Sequence, residues 1–341
     1  MLTIALENPG GFAAHDTPEP VAPGPGEALV RVHRVAICGT DIHAYHGRQP
    51  FFTYPRILGH ELGVEVLALG TGVSHVHVGD RCSVEPYLAH PGDVAFRRGK
   101  TNCSASTECL GVHCDGGMRE QLILPADKLH PARGLDYEQL ALVETLAIGR
   151  HATERANPAP DEHVAVVGLG PIGLAVTQFL VLRGLRVTVV DLSAERLAFA
   201  RRLYPSVTTL KLDPELGLAK AWESTGEARP ETIFDVTGHR ASMEASIELA
   251  TNGGRVVFVG IVKGGITFDD PAFHRRELTL MSSRNALPAD FAAIIRGMEA
   301  GLIDVRPWFT HRCNARELPE VFSRWVAPGS GLLKGVVDFS L

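Results

Sequence analysis

The chain has 341 residues, 45% of them hydrophobic and 21% charged, with a net charge of -6 at pH 7. That length suits roughly two domains of ~150 residues, and the acidic balance without a basic run argues against nucleic acid or an anionic membrane as partner. Met1 to Gly10 lacks the basic start and apolar run of a signal peptide. The most apolar stretch, Val164 to Val181, is broken by three glycines, a proline and Gln178, so it fits a buried strand–turn–helix better than a membrane span.

In chain order, short β-branched runs at Ala28–Ile37, Gly63–Leu69 and Arg81–Pro86 predict strands in a glycine- and proline-rich first half. Two long loops are expected in this half, Cys38–Tyr54 and Ala89–Gly117, the kind of segment that carries function. From about residue 146 strands alternate with helices: Val164–Val167, Pro171–Arg183, Arg186–Val190, Ala194–Leu203, Thr232–Asp235, Ser242–Ala250 and Arg255–Val259. Such alternation predicts a doubly wound parallel sheet covered on both faces. Helices follow at Pro288–Ala300 and Leu318–Trp325, then a last strand, Gly335–Phe339, able to return to the first domain. The expected organisation is α/β, with a β-rich domain (1–146 and 288–341) and a doubly wound domain (147–287). The six cysteines, Cys38, Cys82, Cys103, Cys109, Cys114 and Cys313, have no regular spacing. Reduced thiols or ligands in the cytoplasm are expected.

Gly168, Gly170 and Gly173 form Gly-x-Gly-x-x-Gly between a predicted strand and helix, with Pro171 and Ile172 opening the helix. The glycines allow a tight turn, close approach to a pyrophosphate and close helix–strand packing, and the helix N-terminus favours phosphate. Asp191 lies eighteen residues after Gly173 at a predicted strand end. A carboxylate there accepts ribose hydroxyls and repels a 2′-phosphate, which favours NAD over NADP. Arg196 is a further cofactor-side candidate on the following helix.

Cys38, His60, Glu61 and Glu144 offer thiolate, imidazole and carboxylate donors suited to zinc, and Asp41 can orient a ligating imidazole. The chain resembles the zinc-containing alcohol and polyol dehydrogenases of the medium-chain dehydrogenase/reductase family. The resemblance rests on Ala36-Ile37-Cys38-Gly39-Thr40-Asp41-Ile42-His43, Leu58-Gly59-His60-Glu61, Val78-Gly79-Asp80-Arg81, Asp115-Gly116-Gly117, Val143-Glu144, the Gly168–Gly173 turn and Gly253-Gly254-Arg255. It implies a GroES-like catalytic domain beside a Rossmann domain. It also implies one catalytic zinc held by Cys38 and His60, with Glu61 or Glu144 binding directly or through water, and a proton relay from Thr40 to His43. Gly260 and Ile261 fall at the nicotinamide. The expected substrate is a polyol or sugar acid, with an L-threonine-type amino acid as the alternative. The family implies a homodimer, joined at nucleotide-domain sheet edges, or a homotetramer. A zinc-free quinone reductase of this fold is disfavoured by Cys38 and His60, and a non-catalytic binding protein by Thr40 and His43.

Two departures stand out. The four positions of the family's structural zinc loop are Ala89, Gly92, Ala95 and Cys103 here, too few thiols for a closed site. Cys109 and Cys114 lie near but off that spacing. After Glu61 the family's glycine is replaced by Val64, with Gly63 one place earlier. On the loop after the first motif, Tyr45, His46, Arg48, Phe51 and Phe52 are candidates to line a substrate pocket, with Arg48 suited to a carboxylate. Pro50-Phe51-Phe52 and Tyr54-Pro55-Arg56 resemble sugar-acid dehydrogenases of the L-galactonate type.

Overall fold

The computed structural model describes residues 1–49 and 52–340. The chain forms two compact units, Met1–Thr145 with Ala286–Leu341, and Leu146–Asn285. No helix among the described residues is long and apolar enough to cross a membrane.

The first unit is built on the strand Glu27–Ala36, whose alternate residues Ala28, Val30 and Val32 are fully buried while Arg31 faces out. It pairs antiparallel with Glu61–Leu69, Gln121–Pro125 and Lys334–Asp338, and the sheet runs on through Arg81–Val84 to Leu129–Ala132 on one side and Phe309–Asn314 on the other. The last strand thus lies beside the first motif, with Val336 opposite Ala36. Val30, Val32, Val64, Val66, Leu124 and Phe322 belong to one core cluster.

The Val64 departure has a local explanation. The register between Glu27–Ala36 and Glu61–Leu69 shifts between Val32 and Arg34, so Gly63 faces Arg34 and His33 is the extra residue, a bulge that re-aims the strand. Behind it the helix Tyr137–Ala141 comes so close that a Cβ at Gly63 would lie 2.1 Å from the Tyr137 carbonyl oxygen. The glycine belongs at 63 because backbone passes there.

Two expectations need correction, and one element was not anticipated. The segment after Cys38 is not wholly loop, for Gly39–Tyr45 is a helix with Cys38 at its N-cap and Asp41 accepting the Cys38 N–H at 2.8 Å. Cysteine is an unusual cap, which hid the start signal. The segment Ala89–Gly117 contains a one-turn helix, Val94–Arg97, and the short strand Glu108–Cys109. Leu2–Asn8 and Gly11–Asp16 form a hairpin that the sequence pattern did not suggest.

In the second unit six parallel strands take the order Thr208–Lys211, Arg186–Asp191, His163–Val167, Thr232–Asp235, Arg255–Phe258, Thr279–Ser282. This is the doubly wound Rossmann order. The central strand His163–Val167 is buried throughout, as a strand covered on both faces must be. The two outer strands, Thr208–Lys211 and Thr279–Ser282, are mostly exposed and lack the apolar run that marks the inner four.

Candidate metal and dinucleotide sites

Cys38 precedes the helix Gly39–Tyr45, and His60 and Glu61 open the strand Glu61–Leu69 that pairs back onto it, Glu61 opposite Ala36. One ligand atom from each of Cys38, His60 and Glu61 lies within 4.8 Å of the others. Sulfur, nitrogen and oxygen donors gathered this closely suit zinc. His60 and Asp41 are buried, and His60 Nδ1 lies 3.8 Å from Asp41 Oδ1. Neither atom has a hydrogen-bond partner among the described residues. Asp41 therefore faces the imidazole at ion-pair range, while its other oxygen caps the helix.

The site carries an excess of negative charge. Burial opposes the His60 cation, yet Asp41, Cys38 and Glu144 together push its pKa well above the ordinary histidine value. Burial also raises the carboxyls of Asp41 and Glu144. A bound cation relieves each of these costs, so the donor set fits a divalent metal.

Glu144 is not among the three clustered donors. It is buried in the first turn of the helix Val143–Ala156, and its Oε1 accepts the Tyr87 hydroxyl. Glu61 is held differently. Its carboxylate takes the Lys334 ammonium on both oxygens and the Thr145 hydroxyl at 2.7 Å. Lys334 is itself fully buried and also donates to the Ile37 carbonyl at 3.1 Å. Burial works against the lysine cation, but Glu61 and Cys38 raise its pKa above the ordinary value. Lys334, Thr145 and Tyr87 escaped the sequence pattern. A lone lysine opening an apolar strand was the one available hint.

Thr40 and His43 sit three apart on the helix Gly39–Tyr45, half-buried and exposed respectively, so they share a helix face. Partial burial, with Arg48 and His46 nearby, lowers the His43 pKa below its ordinary value. Arg48 and His46 are exposed, and the Arg48 N–H donates to the His43 carbonyl at 2.8 Å. Tyr45 packs its ring on Phe12 (5.8 Å) and Phe322 (4.8 Å), anchoring the helix to the core. Phe52 contacts Tyr54 edge-on, and Phe51 lies outside the described residues.

In the second unit Gly168–Gly173 joins the central strand to the helix Pro171–Leu182, with Gly170 at the N-cap and Pro171 at the first helical position. A Cβ on Gly173 would lie 1.9 Å from the Gly168 carbonyl oxygen, so only glycine lets the turn close. Asp191, at the end of its strand, accepts the Leu169 N–H at 2.6 Å and the Ser193 N–H at 2.8 Å. The carboxylate thus braces the glycine turn. Ile172 is half-buried, whereas Arg196 is exposed on the next helix, its N–H on Ser193 Oγ. Gly260 donates to the Asp235 carbonyl at 3.2 Å, and Ile261 is 71% exposed. Asp235, missed in the sequence, is buried and accepts the hydroxyls of Thr237, Ser242 and Ser246.

Residues 24–134 match the alcohol dehydrogenase GroES-like domain, and residues 171–300 the zinc-binding dehydrogenase domain. L-galactonate-5-dehydrogenase of Escherichia coli (strain K12) is 42% identical, over 93% of this chain and 93% of that protein. Sorbitol dehydrogenase of Gallus gallus is 31% identical, over 94% and 92%. An alcohol dehydrogenase (rspB) of E. coli CFT073, solved with NADH, superposes with a TM-score of 0.91 at 27% identity, over 99% of each chain. The chain belongs to the zinc-binding alcohol dehydrogenase family and is a dehydrogenase acting on CH–OH groups.

Proposed function

We propose that this enzyme oxidises a secondary hydroxyl of a sugar acid or polyol with NAD, using one catalytic zinc. The clustering of the Cys38, His60 and Glu61 donor atoms within 4.8 Å carries this reading. Zinc would supply Lewis acidity toward the hydroxyl and NAD the hydride acceptor. Thr40 accepts the hydroxyl proton as it gives up its own to the relay, and His43, neutral and exposed on the same helix face, takes that proton on and releases it to solvent. Arg48 rises from the turn that follows and offers a guanidinium to a substrate carboxylate. Asp191 takes the adenine-ribose hydroxyls and disfavours a 2′-phosphate; Gly168, Gly170, Pro171, Ile172 and Gly173 cradle the pyrophosphate, with Gly260 and Ile261 toward the nicotinamide.

Support for a single zinc comes from the lobe where relatives place a second. Here Asp93 accepts the Phe96 N–H at 2.8 Å and the Ala105 N–H at 2.6 Å, Ser106 Oγ donates to the His90 carbonyl, and Thr107 Oγ1 donates to the Thr101 carbonyl. Side-chain bonds close this loop without thiolates. The exposed edge strand Thr279–Ser282, with Leu280 on it, suits pairing with a second copy into a homodimer or homotetramer. Six free cysteines suit the cytoplasm.

The test is NADH absorbance on mixing the enzyme with NAD and a panel of L-galactonate, other sugar acids, polyols and L-threonine, with and without chelator. Chelator-sensitive NADH formation on a sugar acid or polyol is expected. Activity on L-threonine alone, or activity untouched after zinc is stripped, would overturn the proposal.

A further inference from the structure

Two buried carboxylates approach Cys38 and His60, and they are held by different chemistry. Glu61 is tied to a cation, Lys334, and to the Thr145 hydroxyl. Glu144 is held instead by a phenol, its Oε1 accepting the Tyr87 hydroxyl.

Tyr87 is itself fixed. It is 2% exposed and lies on a two-strand ribbon, Tyr87–Leu88 against Glu108–Cys109, with Tyr87 opposite Cys109. Its ring meets Phe291 edge-on at 6.5 Å, and Phe291 is stacked on His130 at 4.8 Å. His130 and Lys128 both bond Glu85, two residues before Tyr87. The hydroxyl is thus presented from a packed and hydrogen-bonded wall, and it meets a glutamate whose backbone is set by the first turn of a helix.

A catalytic zinc keeps three protein ligands and an open position. If Glu144 approached with both oxygens beside Cys38, His60 and Glu61, no position would remain for substrate. We propose that Tyr87 is a positioning residue of this centre, holding Oε1 of Glu144 so that the carboxylate can offer the metal, or its water, one oxygen only. The inference rests on the metal reading above.

The experiment is the visible spectrum of the full-length enzyme loaded with Co(II), for wild type, Tyr87→Phe, Glu144→Gln and the double variant, each with its melting temperature. Tyr87→Phe keeps the ring and its packing. It should bind cobalt but lose roughly twofold or more of band intensity, as coordination number rises from four. In the Glu144→Gln background the same change should have no effect, since outer partners act through the group they orient. Tyr87→Met, which fills the same wall without a hydroxyl, should lose the same band, and it serves if Tyr87→Phe does not fold. An unchanged band in the folded hydroxyl-free variant overturns the proposal, as does a full Tyr87 effect without Glu144. Failure of the wild type to take up cobalt would instead overturn the metal reading itself.

Discussion

Lys334→Met tests whether the cluster is organised as described. The substitution keeps the length of the side chain and removes its charge, leaving Glu61 enclosed without its cation. The two side chains are 1% and 0% exposed, so solvent screening is negligible. Breaking a buried pair by removing one partner costs about 3–5 kcal/mol. For a unit of roughly 200 residues, at about 2–4 °C per kcal/mol, melting should fall by about 6–20 °C. The charge argument also sets the sign of a second effect. A site that has lost its internal cation should hold zinc more tightly, and at one saturating zinc concentration a hundredfold tighter Kd closes the gap by about 2.7 kcal/mol. The assay is thermal unfolding in chelator and in excess zinc. Lys334→Met should melt far below wild type in chelator and recover much of the gap in zinc. Lys334→Met/Glu61→Gln should recover in chelator as well, because no unpaired charge remains. A single variant that melts within about 2 °C of wild type in chelator would refute the picture of a desolvated pair.

Two further outcomes follow from the same geometry. Asp191→Ala removes the acceptor of the Leu169 and Ser193 N–H groups; with about 1.5–3 kcal/mol for bonds to a charged group, NADH affinity should fall about 10- to 100-fold by fluorescence titration, and an unchanged affinity would count against the assigned role. His43 has its pKa lowered by partial burial and nearby cations, so it is neutral at pH 7 and loses its proton-accepting form only in acid. The acid limb of kcat/KM that depends on it should therefore lie below pH 6.5, with a plateau above, and should vanish in His43→Gln; a midpoint above 6.5, or the same limb in the variant, would contradict the relay.

Much of the site is local in the chain, and that is why it could be read from sequence. Cys38 caps the short helix that carries Thr40 and His43, His60 and Glu61 are adjacent, and the Gly168–Gly173 turn is continuous. The inner Rossmann strands announce themselves by short valine-rich runs. What stayed hidden is what depends on distant partners. Lys334 meets Glu61 across 273 residues, and Tyr87 meets Glu144 across 57; neither residue has a local pattern that betrays its partner. The outer strands Thr208–Lys211 and Thr279–Ser282 were missed because exposed edges need no apolar run. Tyr45 reads as pocket-lining from its loop position, yet it packs against Phe12 and Phe322, which only the fold brings together.

The strand Lys334–Asp338, seated beside Glu27–Ala36, also sets an order of events during synthesis. The nucleotide unit is one uninterrupted run, Leu146–Asn285, and can close as soon as it leaves the ribosome. The metal unit cannot, because its sheet lacks a strand and Glu61 lacks its counter-charge until residue 334 has emerged. Domains fold in the order in which they become complete, and long-range pairings come last. The Cys38, His60 and Glu61 cluster therefore waits for its lysine, and the emerging chain carries those three donors without that cation until residue 334 has been added.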